Sequence, residues 1–144
     1  MSRDRGSVLL LTVGMVVVAL IAIAVAVDVS AAFLQRRGLA ATADAAALAG
    51  AQMVDLDAYY ARGRRAGDPI PLDTGAVRGA VMRQLRAAGA WSAHPGLAVE
   101  SVRSDGETVT VRLRMPLRTP FSGLVGRADV RAEASARLSL VPPG

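Results

Sequence analysis

VLLLTVGMVVVALIAIAVAV, residues Val8 to Val27, is a run of twenty residues without a charge. A helix of that length rises about 30 Å, the thickness of a bilayer's hydrocarbon core. Only MSRDRGS stands before it. The run has no polar face, which argues against a core helix of a soluble protein. It is also longer than the roughly 7–15 apolar residues of a cleaved secretory signal, and helical composition continues past it. The run therefore reads as a retained single-pass anchor, with everything after Asp28 as its payload.

A second reading stays open. Ala22-Ile23-Ala24 and Ala24-Val25-Ala26 both fit the small-x-small pattern of signal peptidase. Cleavage after Ala24 or Ala26 would release a soluble exported domain. For orientation, Arg3, Arg5 and the terminal amine precede the run, while Arg36 and Arg37 follow Asp28 by two turns. The short-flank charge rule gives a slight edge to a cytoplasmic N-terminus and an extracytoplasmic C-terminal part.

Charge is uneven along the chain. The net charge is +5 and no lysine is present, so every basic residue is arginine. Residues 1–61 hold four Arg and five Asp; residues 62–144 hold thirteen Arg and seven acids, a balance of +6. Such a distal part attracts anionic polymers, and the soluble-domain reading gives it envelope polyanions as partners. No aromatic is interleaved with these Arg residues, which argues against base stacking and so against nucleic acid. Aromatics make up 3% of the chain, so any core is built from Val, Leu, Met and Ala. With no cysteine there are no disulfides and no thiolate chemistry.

From Asp28 to about Arg62 the chain has no proline and many strong helix formers. Leu39, Ala43, Ala46, Gly50 and Met53 recur at spacings of three and four, on one face. Ala22, Ala26 and Ser30 make a similar seam inside and just beyond the apolar run. Small residues let another helix backbone come close in a membrane. A helix unbroken from Ser7 to Ala61 would be about 80 Å long, the shape of a filament subunit.

ARGRRAGDPIPLDTG breaks the pattern and reads as a linker. A second helix follows over 74–88. Asp73 is its N-cap, Leu72 and Val77 stand at the staple positions, and Val77, Val81, Leu85 and Ala88 form its apolar face. Gly89 suits its end. Leu97–Arg103 and Thr108–Leu117 read as a hairpin. The second strand alternates Val109, Val111, Leu113, Met115 and Leu117 against polar residues. A two-residue turn would set Glu100 opposite Val111 on the apolar face. A three-residue turn, Ser104 to Gly106, instead pairs Val99 with Val111, Leu97 with Leu113 and Arg103 with Glu107, and is the expected register. Phe121 and Leu124, in the irregular stretch Arg118–Arg127, are placed as plugs at the sheet edge. The last strand, Asp129–Val141, has one apolar and one solvated face, and helix 74–88 is its natural cover.

The expected fold is thus α+β: a long N-terminal transmembrane helix extending out of the membrane, then one helix and a three-stranded antiparallel sheet. The expected divisions are 1–61 for the anchor and its helical extension (span 8–27), 62–75 for the linker and 76–144 for a small extracytoplasmic domain.

Catalytic machinery needs clustered reactive groups. The single histidine, His94, precedes Pro95 in a loop and reads as a surface residue. One His without Cys makes no structural zinc site. Asp55 and Asp57 are two apart on a helix and face different ways. Asp68, Asp73 and Asp105 sit in turns or caps, where Asp is common. No phosphate loop, dinucleotide fingerprint or nucleophile elbow is present. The reading is a non-enzyme with no cofactor, no metal and no small-molecule substrate. Two acids stand out. Asp28 marks the end of the apolar run. Asp44, amid alanines, is either a solvated position or the partner of an Arg on a neighbouring subunit.

The segment RGSVLLLTVGMVVVALIAIAVAVDVSAAFLQRRGLAATADAAALAGAQ resembles the N-terminal segment of the Tad pilus-assembly family, the TadE/TadG-like proteins. The likeness lies in Arg5-Gly6 before the apolar run, Val27-Asp28-Val29 at its end, Gln35-Arg36-Arg37 with Leu39, and the alanine block from Ala43 to Ala51. It covers about a third of the chain. The resemblance implies a structural or accessory component of Flp-type pili or tight-adherence secretion systems, in contact with lipid and, through the alanine-rich helix, with other subunits. Pilin-like members are cut after a Gly, here Gly6, leaving Ser7 first. Such members carry Glu at the fifth position after the cut, and Leu11 stands there, so the retained-anchor, TadG-like end of the family fits better.

Overall fold

The computed structural model describes residues 3–53, 55, 61, 72–121 and 128–138, with side chains from Ser7 onward. By its internal contacts the chain divides into two units, Met1–Leu34 with Arg118–Arg127, and Gln35–Leu117 with Ala128–Gly144.

Helix α1, Arg3–Ala51, contributes to both. Its sequence has no proline and is dominated by Ala, Val and Leu, so nothing interrupts the ladder. Polar side chains within it satisfy themselves locally. Thr12 Oγ1 donates to the Val8 carbonyl at 2.9 Å and Ser30 Oγ to the Ala26 carbonyl at 2.8 Å. Such back-bonding satisfies a hydroxyl within its own helix. In the first unit the helix is apolar and bare: Leu11 is 74% exposed and Met15 76%. The helix is long and apolar enough to cross a membrane by length and composition.

The second unit is an α+β domain, and the second part of α1 lies in its core. Leu39, Ala43, Ala46, Ala47 and Ala51 are fully buried together with Val77, Val81, Leu85, Val109, Val111 and Leu113. The helix ends at Ala51, short of the expected Ala61. Met53 N donates to the Gly50 carbonyl, and the Met53 carbonyl accepts from Asp73 N at 2.8 Å. Met53 and Asp55 are not helical. Just past the helix end, the chain is thus tied to the residue that caps the next helix. Residues 56–60 and the expected linker from 62 to 71 lie outside the described residues.

Helix α2, Thr74–Ala87, starts as its sequence dictates. The Asp73 side chain accepts from Gly75 N and Ala76 N, satisfying two free N–H groups of the first turn. Val77, Ala80, Val81 and Leu85 are its buried residues. Ala88, expected on that face, lies past the last turn and is exposed, and Ala80 takes its place. Gly89 follows at φ 61°, the left-handed conformation that ends a helix. A single turn, α3, spans Ala90–Ala93.

Three strands, β1 (Ala98–Ser104), β2 (Thr108–Pro116) and β3 (Asp129–Arg137), form an antiparallel sheet in that order. Residues 139–141 of the expected last strand lie outside the described residues. The hairpin register differs from the expected one. Ser104 pairs with Val109, Val102 with Val111, and Val99 with Leu113, with a bulge between Val99 and Ser101. Four residues, Asp105 to Thr108, stand between the paired Ser104 and Val109. Asp105 Oδ1 accepts from Glu107 N at 2.9 Å and Thr108 N at 2.7 Å, and Gly106 takes φ 93°. This Asx-type turn competes well against shorter loops because the side chain supplies the turn's hydrogen bonds. The bulge answers a break in β1's pattern. Val99 and Val102 are three apart, so a regular strand would put them on opposite faces. One extra residue at Glu100 returns both to the face of Val111 and Leu113.

β2 buries Val109, Val111, Leu113 and Met115, and β3 sets Ala136, Ala134, Ala132 and Val130 opposite them. The cover is two helices rather than α2 alone. A Cβ added at Gly50 of α1 would stand 3.0 Å from Val109 Cγ1, 3.1 Å from Val81 Cγ2 and 3.4 Å from Val77 Cγ1. The solvent face of the sheet is a charge lattice. Arg112 pairs with Glu133 at 2.6 Å; Arg114 pairs with Asp129 at 3.3 Å and Glu100 at 3.5 Å; Arg131 pairs with Glu100 at 3.3 Å.

Candidate functional site

The site residues proposed from the sequence lie along α1, with Met53 just past its end. In the first unit the residues from Ser7 to Leu34 are exposed except for Ala24, Asp28, Ala31 and Ala32, which are half-buried. These four recur at spacings of three and four and share one face. On that face Asp28 Oδ1 accepts a hydrogen bond from the backbone N–H of Phe121 at 3.1 Å, across 93 residues of sequence. A carboxylate at the end of an apolar run thus gains a donor from the protein itself. Sequence reasoning gave Asp28 a boundary role and missed this partner, because nothing local in RTPFSG announces it. Phe121, expected to plug the sheet edge, is 46% exposed. Its N–H is given to Asp28 of the helix. Leu124 lies outside the described residues.

The two small-residue seams fare differently. Ala22, Ala26 and Ser30 are exposed, open to whatever surrounds the helix. Leu39, Ala43, Ala46 and Gly50 are buried, and Met53 is half-buried against the same core. What comes close to the upper seam is the chain's own β2 and α2. Asp44, one residue from Ala43 but off that face, is exposed and has no partner among the described residues. At the other end Gly6 lies within α1, Ser7 is exposed, and Leu11 points into open surroundings.

His94 is not the free surface residue that its loop position suggested. It is half-buried, with Nε2 3.0 Å from Thr42 Oγ1. Thr42 Oγ1 gives its one proton to the Gly38 carbonyl at 2.9 Å, so His94 Nε2–H is the donor toward Thr42. A Cβ added at Gly38 would sit 3.2 Å from His94 Cε1. The glycine seats the ring, which ties the loop after α3 to α1. Neither Thr42 nor its contact with His94, 52 residues away, was singled out from the sequence.

Among the described residues no three of His, Cys, Asp and Glu converge as a metal site would require. The cleft between the end of α1 and α2, near Ala49, Met53, Arg83 and Gln84, holds about 230 Å³ and is open. Enclosed ligand pockets run from roughly 300 Å³ upward. On the sheet Arg112, Arg114 and Arg131 are paired with acids, which leaves less free positive charge than composition suggests. On α2, Arg78, Arg83 and Arg86 are exposed, with no ion-pair partner among the described residues. Hydrogen bonding to Glu133 raises the Arg112 guanidinium above its ordinary value.

Residues 6–53 match the sequence model of a family described as "Putative Flp pilus-assembly TadE/G-like". The matched span begins at Gly6, covers the apolar run and the alanine block, and stops where α1 gives way to Met53. No curated protein and no solved structure gives a significant match to the chain.

Proposed function

We propose, from a chain whose residues 6–53 are a TadE/G-like segment, that this protein is a membrane-anchored structural or accessory component of a Tad/Flp-type pilus or tight-adherence secretion apparatus. The observation that carries the proposal is the coincidence of the matched span with an apolar helix whose side chains from Val8 to Leu34 find almost no cover within the chain. So much bare apolar surface is unstable in water and comfortable in lipid.

In this reading the N-terminus stays in the cytoplasm and the α+β domain is exported. The work is packing and presentation, without catalysis. Contacts with other subunits within the membrane use the open seam of Ala22, Ala26 and Ser30, where backbones can approach closely. The seam from Leu39 to Gly50 is already filled by the domain, so subunit contacts beyond the membrane fall to the exposed side of that helix, where Asp44 offers its carboxylate to an Arg of a neighbour.

Fractionation followed by mass spectrometry of the mature N-terminus tests the reading. The expected result is a chain that resists alkaline extraction, dissolves in detergent and begins at Met1 or Ser2. A start at Ser7 moves it to the pilin-like side of the family. A start at Val25 or Val27 in a soluble fraction would replace the anchor with an exported soluble domain.

A further inference from the structure

We infer that Phe121 is a second membrane contact: Asp28 holds its backbone against α1, and its ring seats in the interfacial layer of the bilayer on the domain's side. The inference rests on the anchor reading and adds a lipid-facing element from the far end of the sequence.

Three observations converge on it. First, exposed apolar surface does not stop at Asp28. Val29 and Phe33 are each 63% exposed and Leu34 66%, and the basic pair Arg36–Arg37 follows. From Val8 to Leu34 the helix rises about 40 Å, which matches a bilayer with its headgroup layers rather than the hydrocarbon core alone. Asp28 then lies about 9 Å below Leu34 along the helix, at the depth where interfacial apolar side chains settle.

Second, a carboxylate at that depth is costly unless it finds a donor. The Phe121 N–H supplies one, 3.1 Å away. Third, the helix face carrying Asp28 is otherwise Ala24, Ala31 and Ala32. Such small residues let a backbone come close while an attached large side chain stays outside. Phe121 follows that pattern: its amide is engaged and it remains 46% exposed. Aromatic rings are favoured where one side is apolar and the other wet.

The chain has no cysteine, so one introduced residue carries a unique label. Full-length protein bearing a nitroxide at Phe121→Cys, Val18→Cys or Arg103→Cys is placed in phosphatidylcholine–phosphatidylglycerol vesicles. Collisions with oxygen, which dissolves in lipid, are compared with collisions with a water-soluble nickel chelate. Positions 18 and 121 are expected to favour oxygen and position 103 the chelate. Adding Asp28→Ala is expected to shift position 121 toward the chelate and leave position 18 unchanged. If 121 behaves like 103 while 18 stays oxygen-favoured, the Phe121 contact is wrong and the anchor stands. A label at 121 shielded from both reagents points to a protein neighbour and also overturns the inference. Should position 18 itself favour the chelate, the anchor reading fails, and this one with it.

Discussion

The two parts of α1 are built from similar residues and live in opposite surroundings. Ala22, Ala26 and Ser30 repeat every four residues and are exposed; Ala43, Ala46 and Gly50 repeat at three and four and are buried. A stripe of small side chains specifies close approach without naming what approaches. The remaining positions on the helix do that. Around the first seam nearly every residue is apolar, so no face prefers water. Around the second, Gln35, Arg36, Arg37 and Asp44 supply a polar side, and the helix becomes an ordinary amphipathic member of a folded domain.

The sharpest way to break this comparison is to truncate leucines five residues apart. Leu39 is 0% exposed and Leu34 66%. In detergent-solubilised full-length protein, Leu39→Ala is expected to cost the domain about 2–5 kcal/mol in denaturant unfolding, transfer and cavity terms together. Leu34→Ala is expected to leave the midpoint unchanged. Equal effects would mean that the two parts share one environment.

Glycines give the next contrast. At Gly14 an added Cβ meets nothing within 4 Å, whereas at Gly50 it meets three valines at 3.0–3.4 Å. Glycine to alanine favours a helix by about 1 kcal/mol. Gly14→Ala is therefore neutral to mildly helix-stabilising. At Gly50 the crowding of a tight core costs about 1–3 kcal/mol and outweighs that gain, so Gly50→Ala lowers the thermal midpoint of the domain. A rise in the midpoint would show that Val77, Val81 and Val109 yield easily. A smaller effect is expected at Thr42. Thr42→Val removes the partner of His94 Nε2, at about 1 kcal/mol, and should raise amide exchange in the loop after α3 while leaving the first unit untouched.

What the sequence made legible follows from how local each signal is. The apolar run, the Asp73 cap and the strict alternation of β2 involve neighbours within a few residues, and each appears where its pattern places it. The α1 stripe was legible as a packing face, but its partner was not, because 26 residues lie between Gly50 and Val77 and 58 between Gly50 and Val109. The hairpin register was misplaced for a more instructive reason. Weighing only two- and three-residue turns assumed a regular β1, although the three-residue step from Val99 to Val102 already signalled a bulge. The Asp28 contact was illegible because Phe121 makes it through a backbone N–H, which every residue type but proline carries.

The smallest expected effect concerns the turn that fixes this register. Asp105 is exposed, and its carboxyl is held below the ordinary range first by the Thr108 N–H and then by the Glu107 N–H. A carboxyl depressed in the folded state adds stability above its unfolded pKa, near 4, and loses it as pH falls through the lower folded value. Asp105→Asn keeps an acceptor oxygen and the turn but removes the charge. The variant should therefore be slightly less stable than the parent at pH 7, with the gap closing as pH drops below about 4. A gap that persists in acid would assign the loss to turn geometry rather than charge. No gap at any pH would mean that the two N–H groups fix the turn equally well against a neutral amide, leaving the register to the bulge at Glu100 and the valines it aligns.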